Sequence, residues 1–360
     1  MDRRRFFMST SSLVAAAHCL PFLASASTKD FGQSRGELFA GVDAAKNNTL
    51  TRIAFGSCNK QTSSQKHWDI IGEEKPDLWL WLGDNIYADQ TTITERASQY
   101  QILKDNPYYQ EFRLNTPIMG TWDDHDYAAD NQGIEFRDKD ASQQLFMDFL
   151  DLPNNHLMRK QRGVYWSETF GPIGRQVQII MLDLRYFRKR QATAGGGSLG
   201  EMQWLWLEDQ IRTSTADVII LGSSLHLTSG YTGFGLEGWN EFPADRRRLY
   251  DLLSETSTPT LVLSGDRHMA EFTKTTLDNG KVIYEFMSSG MTHSARFPFP
   301  DPNRIGSLIG ERNFGMIYLD WSGVRPDIRL EIKSTVRPET YARLTPNFAS
   351  VRDSIYTASL

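Results

Sequence analysis

Short, wholly apolar runs recur along this chain, and each one stops at a cluster of polar residues. Leu78–Leu82 reads Leu-Trp-Leu-Trp-Leu, and Pro117–Trp122, Val177–Leu182, Val218–Leu221 and Thr260–Leu263 are similar in character. Runs this short and this apolar predict strands buried on both faces. Arg52–Phe55 and Val164–Phe170 add two more. Between the runs, helical spacing predicts helices over Lys66–Glu74, Thr94–Lys104, Ser142–Leu150, Glu201–Arg212 and Ala244–Ser254. In the fourth of these, Trp204, Leu207 and Ile211 share one face. The last third turns to strands, over Phe272–Leu277, Lys281–Met287, Gly315–Trp321 and Asp327–Ser334. Residues 27–50 read as irregular. Such mixing predicts a layered α/β protein with partly parallel sheets.

Composition narrows the function. The chain has 360 residues, 40% of them hydrophobic and 23% charged, which suffices for a large core. Its formal net charge of −5 gives no global field for a polyanion, so no nucleic-acid partner is expected. Any phosphate must be held locally, by metals or a few arginines.

Residues 1–26 read as an export leader: Arg3-Arg4-Arg5-Phe6-Phe7, a weakly apolar run from Leu13 to Leu23, then Ala24-Ser25-Ala26. The paired arginines resemble a twin-arginine signal. That places the mature protein in the periplasm or outside the cell, with the export machinery as a partner. The apolar run is shorter than the roughly 20 residues a membrane span needs, and no later span is expected. A lipid anchor at Cys19 is disfavoured by His18 before it. Removing the leader leaves one cysteine, Cys58, which cannot form an internal disulfide.

The polar clusters at the strand ends carry the chemistry. They are Gly56-Ser57-Cys58-Asn59, Gly83-Asp84-Asn85-Ile86-Tyr87, Trp122-Asp123-Asp124-His125-Asp126, Gly222-Ser223-Ser224-Leu225-His226 and Ser264-Gly265-Asp266-Arg267-His268. Strand ends of an α/β sheet converge on one crevice. A single Gly-Asp after a strand is usually a turn; five such ends bearing Cys, Asp, Tyr or His are a site.

These clusters resemble the metallophosphoesterase pattern, specifically the PhoD-like alkaline phosphatase and phosphodiesterase family. Further landmarks are Leu182-Asp183-Leu184-Arg185-Tyr186-Phe187-Arg188, Phe242-Pro243-Ala244, Ser288-Ser289-Gly290-Met291-Thr292-His293 and Asn313-Phe314-Gly315. The resemblance implies a sandwich of two mixed β-sheets flanked by helices. The catalytic domain would span residues 51–336, with a C-terminal tail over 337–360. It also implies hydrolysis of small phosphomonoesters or phosphodiesters by metal-activated water attack. The alternatives are a phospholipase D-like diesterase acting on lipid or cell-wall phosphodiesters, and an inactive exported protein that binds phosphate or metal. The stretch before the first strand is too short for the extra β domain that some relatives carry.

The donor chemistry agrees with that resemblance. Asp84 has two oxygens with which to bridge cations. Cys58 as thiolate and Tyr87 as phenolate favour a transition metal such as iron. Asp124, Asn131 and Asp266 suit harder ions, and His268 adds an imidazole. The family implies Fe3+ with Ca2+; Mg2+, Mn2+ or Zn2+ are the alternatives. His125 is the candidate to protonate the leaving group, against a structural loop histidine. Arg185 is either a phosphate clamp or an ion pair to a neighbouring loop. His226 is either an additional metal ligand or a substrate contact.

Overall fold

Trp79 and Trp81 point to one side of their strand and meet Trp68, with ring centroids 5.0 and 5.3 Å away. Leu82, on the other side, reaches toward Gly222 of a second sheet. Every residue of Leu78–Leu82 is therefore buried, which is why the run is apolar throughout rather than alternating.

The computed structural model describes residues 37–189, 196–231, 237–296 and 300–348, so the leader over 1–26, with Cys19, lies outside the described residues. One sheet contains β1 (Arg52–Gly56), β2 (Leu78–Leu82) and β3 (Ile118–Thr121), which run parallel. The other contains β4 (Trp166–Phe170), β5 (Val177–Met181), β6 (Val218–Gly222), β7 (Thr260–Ser264), β8 (Ala270–Thr276), β9 (Val282–Ser288) and β10 (Arg304–Ile309). The chain then returns to the first sheet as β11 (Asn313–Asp320), β12 (Asp327–Ser334) and β13 (Thr340–Leu344). The strand orders are β13-β12-β11-β1-β2-β3 and β10-β8-β9-β7-β6-β5-β4. Both sheets are mixed: β5, β6, β7 and β9 are parallel, whereas β4, β8 and β10 are antiparallel to their neighbours.

The two sheets face each other. Phe55 of β1 meets Phe286 of β9 edge-on at 4.7 Å. Trp166 Nε1 donates to the Gly120 carbonyl at 2.9 Å, and Thr121 Oγ1 to that of Leu182 at 2.7 Å. Gly315 must be glycine, because a Cβ there would sit 2.2 Å from the Phe55 ring.

Helices cover the outer faces. On the first sheet lie α2 (His67–Glu73), α3 (Ile93–Lys104), α4 (Pro107–Asn115) and α6 (Lys139–Phe149), with α1 (Glu37–Ala45) near β3. The four-residue turn α5 (Asp124–Tyr127) follows β3 directly. On the second sheet, α7 (Glu201–Arg212) and α8 (Pro243–Ser254) lay Trp204, Leu207, Ile211, Leu249 and Leu253 against Ile180, Leu182, Ile219 and Leu221.

Four elements depart from the sequence reading. Residues 27–50 are not irregular throughout, since they contain α1. The stretch assigned to a tail, 337–360, supplies β13, paired to β12. The helix α4 has a cap signal in Asn106, whose side chain accepts from Tyr108 N–H, followed by Pro107. Its apolar face forms only against Trp68, Trp79, Trp81 and Phe149 from other elements, so spacing alone did not show it. The edge strand β10 is half exposed and carries no apolar run.

Candidate metal centre

Because β1, β2 and β3 run parallel, the loops after them leave the same edge of their sheet. The loops after β6, β7 and β9 do likewise in theirs. Across the two sheets these loops meet. Cys58 Sγ lies 3.3 Å from Asp84 Oδ2 and 3.1 Å from Ser289 Oγ, which joins the loops after β1, β2 and β9. Tyr87 places its phenol 3.2 Å from Asp84 Oδ2 and 3.0 Å from His268 Nε2. Asp124 accepts the Asn131 main-chain N–H at 2.6 Å.

Among the described residues, three sets of donor atoms come close enough to share a cation: Cys58, Asp84 and His268; Asp84, Asp124 and His125; and Asp123, Asp124 and Asp266. Asp84 belongs to two of these sets, and so does Asp124. Oδ1 of Asp84 is buried with no hydrogen-bond partner, and so is Oδ2 of Asp123. A buried carboxylate oxygen left unpaired is costly unless a cation faces it.

The backbone pays for this convergence. Cys58, Asp84, Asn131, Asp266 and His268 all adopt positive φ, between 48° and 74°. Residues with side chains rarely do so, and such strain gathers at functional sites. Gly83 precedes Asp84 at φ +94°, where a Cβ would come 2.4 Å from that of Asp123.

Electrostatics point the same way. Burial pushes the Cys58 thiol up to about 11. Burial, then the charges of Cys58 and Asp124, raises Asp84 well above the carboxylate range. Burial raises Tyr87, with Cys58 and Asp84 adding to it. Asp266 is raised by burial and then by Asp123 and Glu237. A cation held at the centre of the cluster would oppose all four effects, and a coordinating thiol would give up its proton. Buried thiolate, phenolate, imidazole and carboxylate donors around an unpaired Asp84 oxygen thus fit metal ions.

The His125 ring packs against Tyr87 at a tilt of 36°, with centroids 4.3 Å apart, and its Nδ1 lies 2.7 Å from Asp89. Burial opposes its protonation, but the Asp89 contact and the charges of Asp84 and Asp124 push it up to about 10.

Three expected residues sit differently. The side-chain amide of Asn131 turns to Asp130 at 2.9 Å, and Asn131 meets Asp124 only through its main chain. Of the two roles left open for Arg185, the ion pair is present, while Nη1 of Arg185 is buried without a partner. The side chain is fully buried, with Nε 2.5 Å from Asp123 and Nη2 2.7 Å from Glu237. His226 takes neither expected role: its ring is enclosed between Glu285 at 3.0 Å and Glu271 at 3.3 Å. These carboxylates come from β8 and β9, long after His226 in the chain, so the strand end that carries it gave no sign of them.

The sequence assigned no role to Asp123, Asp89, Ser289 or His293. Asp123 and Ser289 lie inside the recognised motifs. His293 Nε2 is 3.2 Å from His268 Nε2. Asp89 carries no motif and is identified only by its contact with His125.

Two facing mixed sheets, with metal-type donors gathered from loops at their edges, make a metallophosphoesterase-like fold. Within it, this chain belongs to the PhoD-like phosphatase family, whose model matches residues 53–304. It is similar to alkaline phosphatase D of Bacillus subtilis (strain 168), 23% identical over 275 residues, covering 60% of this chain and 45% of the relative. The chain therefore aligns with about half of that relative's length. Its fold resembles the solved structure of PhoD, with a TM-score of 0.68, 17% identity and coverage of 84% of this chain and 69% of that one. A purple acid phosphatase from yellow lupin (Lupinus luteus) seeds follows, with a TM-score of 0.58, 14% identity and coverage of 86% and 56%. GAP50, described as the anchor in the inner membrane complex of Plasmodium, has a TM-score of 0.55, 12% identity and coverage of 85% and 91%.

Proposed function

We propose that this chain is an exported, metal-dependent phosphoesterase that hydrolyses small phosphate mono- or diesters. One observation carries the reading: Cys58, Asp84, Tyr87 and His268 converge from separate strand ends, with a buried Asp84 oxygen aimed at no protein partner. Cys58, Asp84, Tyr87 and His268 would hold one cation, for which thiolate and phenolate favour Fe3+. Asp84, Asp124 and Asp266, with Asp123 beside them, would hold harder ions such as Ca2+. When bound, such ions activate water and neutralise phosphoryl charge.

The chain's own groups supply the rest. His125, held through Nδ1 by Asp89, keeps Nε2 for the leaving-group oxygen and donates its proton there as the P–O bond breaks. Arg185 holds Asp123 in place and carries a positive charge into a strongly acidic cluster. Export rests on the twin-arginine-type leader. No helix among the described residues is long and apolar enough to cross a membrane.

Fold alone does not establish turnover, so the inactive binding protein is the reading to test against. Hydrolysis of chromogenic mono- and diesters is measured before and after chelation, and again after metal is restored. Activity lost and regained supports the enzyme. Phosphate or metal binding without turnover on either ester supports the binding protein. The ratio of diester to monoester rates separates a phosphodiesterase from a phosphatase.

A further inference from the structure

The loops bearing Asp84–Tyr87 and Asp124–His125 are held together from behind by one side chain. Arg96 lies on the inner face of α3 and is 1% exposed. Its Nη2 donates to the carbonyls of Ala88, at 3.2 Å, and Ala128, at 2.6 Å. Its Nη1 donates to the Tyr127 carbonyl and to Ser142 Oγ, the latter at 3.0 Å. The guanidinium also lies 5.2 Å from the Phe136 ring.

A buried arginine is ordinarily paired with a carboxylate, because an isolated buried charge is expensive. Here main-chain carbonyls and a hydroxyl take that place, and their positions explain the choice. Ala88 directly follows Tyr87. Tyr127 and Ala128 close the single turn α5, which carries Asp124 and His125. One turn leaves its last carbonyls unpaired, and a cation at that end satisfies them. The direct main-chain link between the two loops is the Ala88 N–H to the His125 carbonyl, at 3.1 Å. Cys58, Asp266 and His268 arrive on other loops, outside this clasp.

We propose that Arg96 is a positioning residue that fixes the spacing between Asp84 and Asp124, and with it the cation site those two carboxylates share, beside which His125 stands. The proposal rests on the metal-centre reading above. It implies an unequal effect: the site built on Asp84 and Asp124, which spans both clasped loops, weakens, and the one built on Cys58 and Tyr87, which draws on only one of them, does not.

The test uses the full chain, with Arg96→Met and with Arg96→Lys, which keeps the charge but not the planar fork. Chelated protein is titrated with Mn2+, and free Mn2+ is read by paramagnetic resonance. A separate sample is loaded with Fe3+, and its phenolate and thiolate charge-transfer absorption is recorded. Loss of a supporting partner weakens metal binding by about 10–100-fold. That weakening is expected at the Mn2+ site in Arg96→Met, and a smaller one in Arg96→Lys, with the Fe3+ absorption unchanged. If both signals fall together, or neither moves, Arg96 is merely structural and the proposal is overturned. If Arg96→Met does not fold, the same comparison in Arg96→Lys decides. Wild-type protein that binds neither ion would instead overturn the metal-centre reading itself, and this proposal with it.

Discussion

The sulfur of Cys58 and Oδ2 of Asp84 lie 3.3 Å apart although they arrive on different strands. Oδ1 of the same carboxylate is buried and without a partner. Asp84 is therefore placed to serve two donor sets at once. Asp84→Asn removes the charge while keeping the shape. It should lose bound metal by more than the ~10–100-fold typical of an outer partner, and nearly all turnover, with circular dichroism unchanged. Elemental analysis of the purified variant checks this. Full metal content would contradict the bridging role.

The His125–Asp89 pair should matter in proportion to how much the leaving group needs a proton. His125→Ala is expected to slow alkyl phosphate esters by about 10²–10⁴-fold, and nitrophenyl esters far less. Asp89→Asn should show the same leaving-group dependence at smaller size. Rates plotted against leaving-group pKa give the result directly. Equal losses on good and poor leaving groups would assign His125 to binding instead.

Gly83 sets the entry to the centre. At φ +94°, with Asp123 Cβ only 2.4 Å from where a Cβ would stand, Gly83→Ala strains the turn and pushes Asp123 and Asp84 apart. A destabilisation of about 1–3 kcal/mol, typical of overpacking, is expected, together with weaker metal binding. Denaturation midpoints and metal titration check the two effects separately.

His226 gives a pH dependence of stability unconnected with catalysis. Burial disfavours its charge, but Glu285 and Glu271 outweigh burial and raise it from 6.5 to about 9. Burial also opposes the charge on Glu285, yet His226 takes it from 4.5 down to about 2. The histidine contribution is complete below pH 6.5 and disappears as pH rises through about 9. The glutamate contribution is complete above pH 4.5 and disappears as pH falls through about 2. Urea midpoints should therefore drop between pH 6.5 and about 9 in the wild type, and drop less in His226→Ala. That variant should cost about 3–5 kcal/mol at pH 6, because the buried Glu285 carboxylate loses its charged partner, whereas Glu271 keeps Arg304.

How much of this was legible in the sequence depended on the range of the interaction. Strands such as Leu78–Leu82 and Thr260–Ser264 declare themselves because both their faces are buried, so the apolar run is continuous. Cys58, Asp84, Tyr87, Asp124 and His268 were recognisable because each follows such a run and sits in a motif. The roles of Arg185 and His226 were not, because each is decided by carboxylates brought in from elsewhere: Asp123 and Glu237 for one, Glu271 and Glu285 for the other. Helix α4 stayed hidden for a related reason, since Tyr109 and Phe112 become a packed face only where Trp68, Trp79, Trp81 and Phe149 meet them.

The most direct measurement is the metal content of protein purified after native export, taken alongside ester hydrolysis on the same sample before and after chelation. More than one equivalent of metal per chain is expected, with turnover that vanishes on chelation and returns on reloading. Metal-free protein hydrolysing phosphate esters at an undiminished rate would contradict the account.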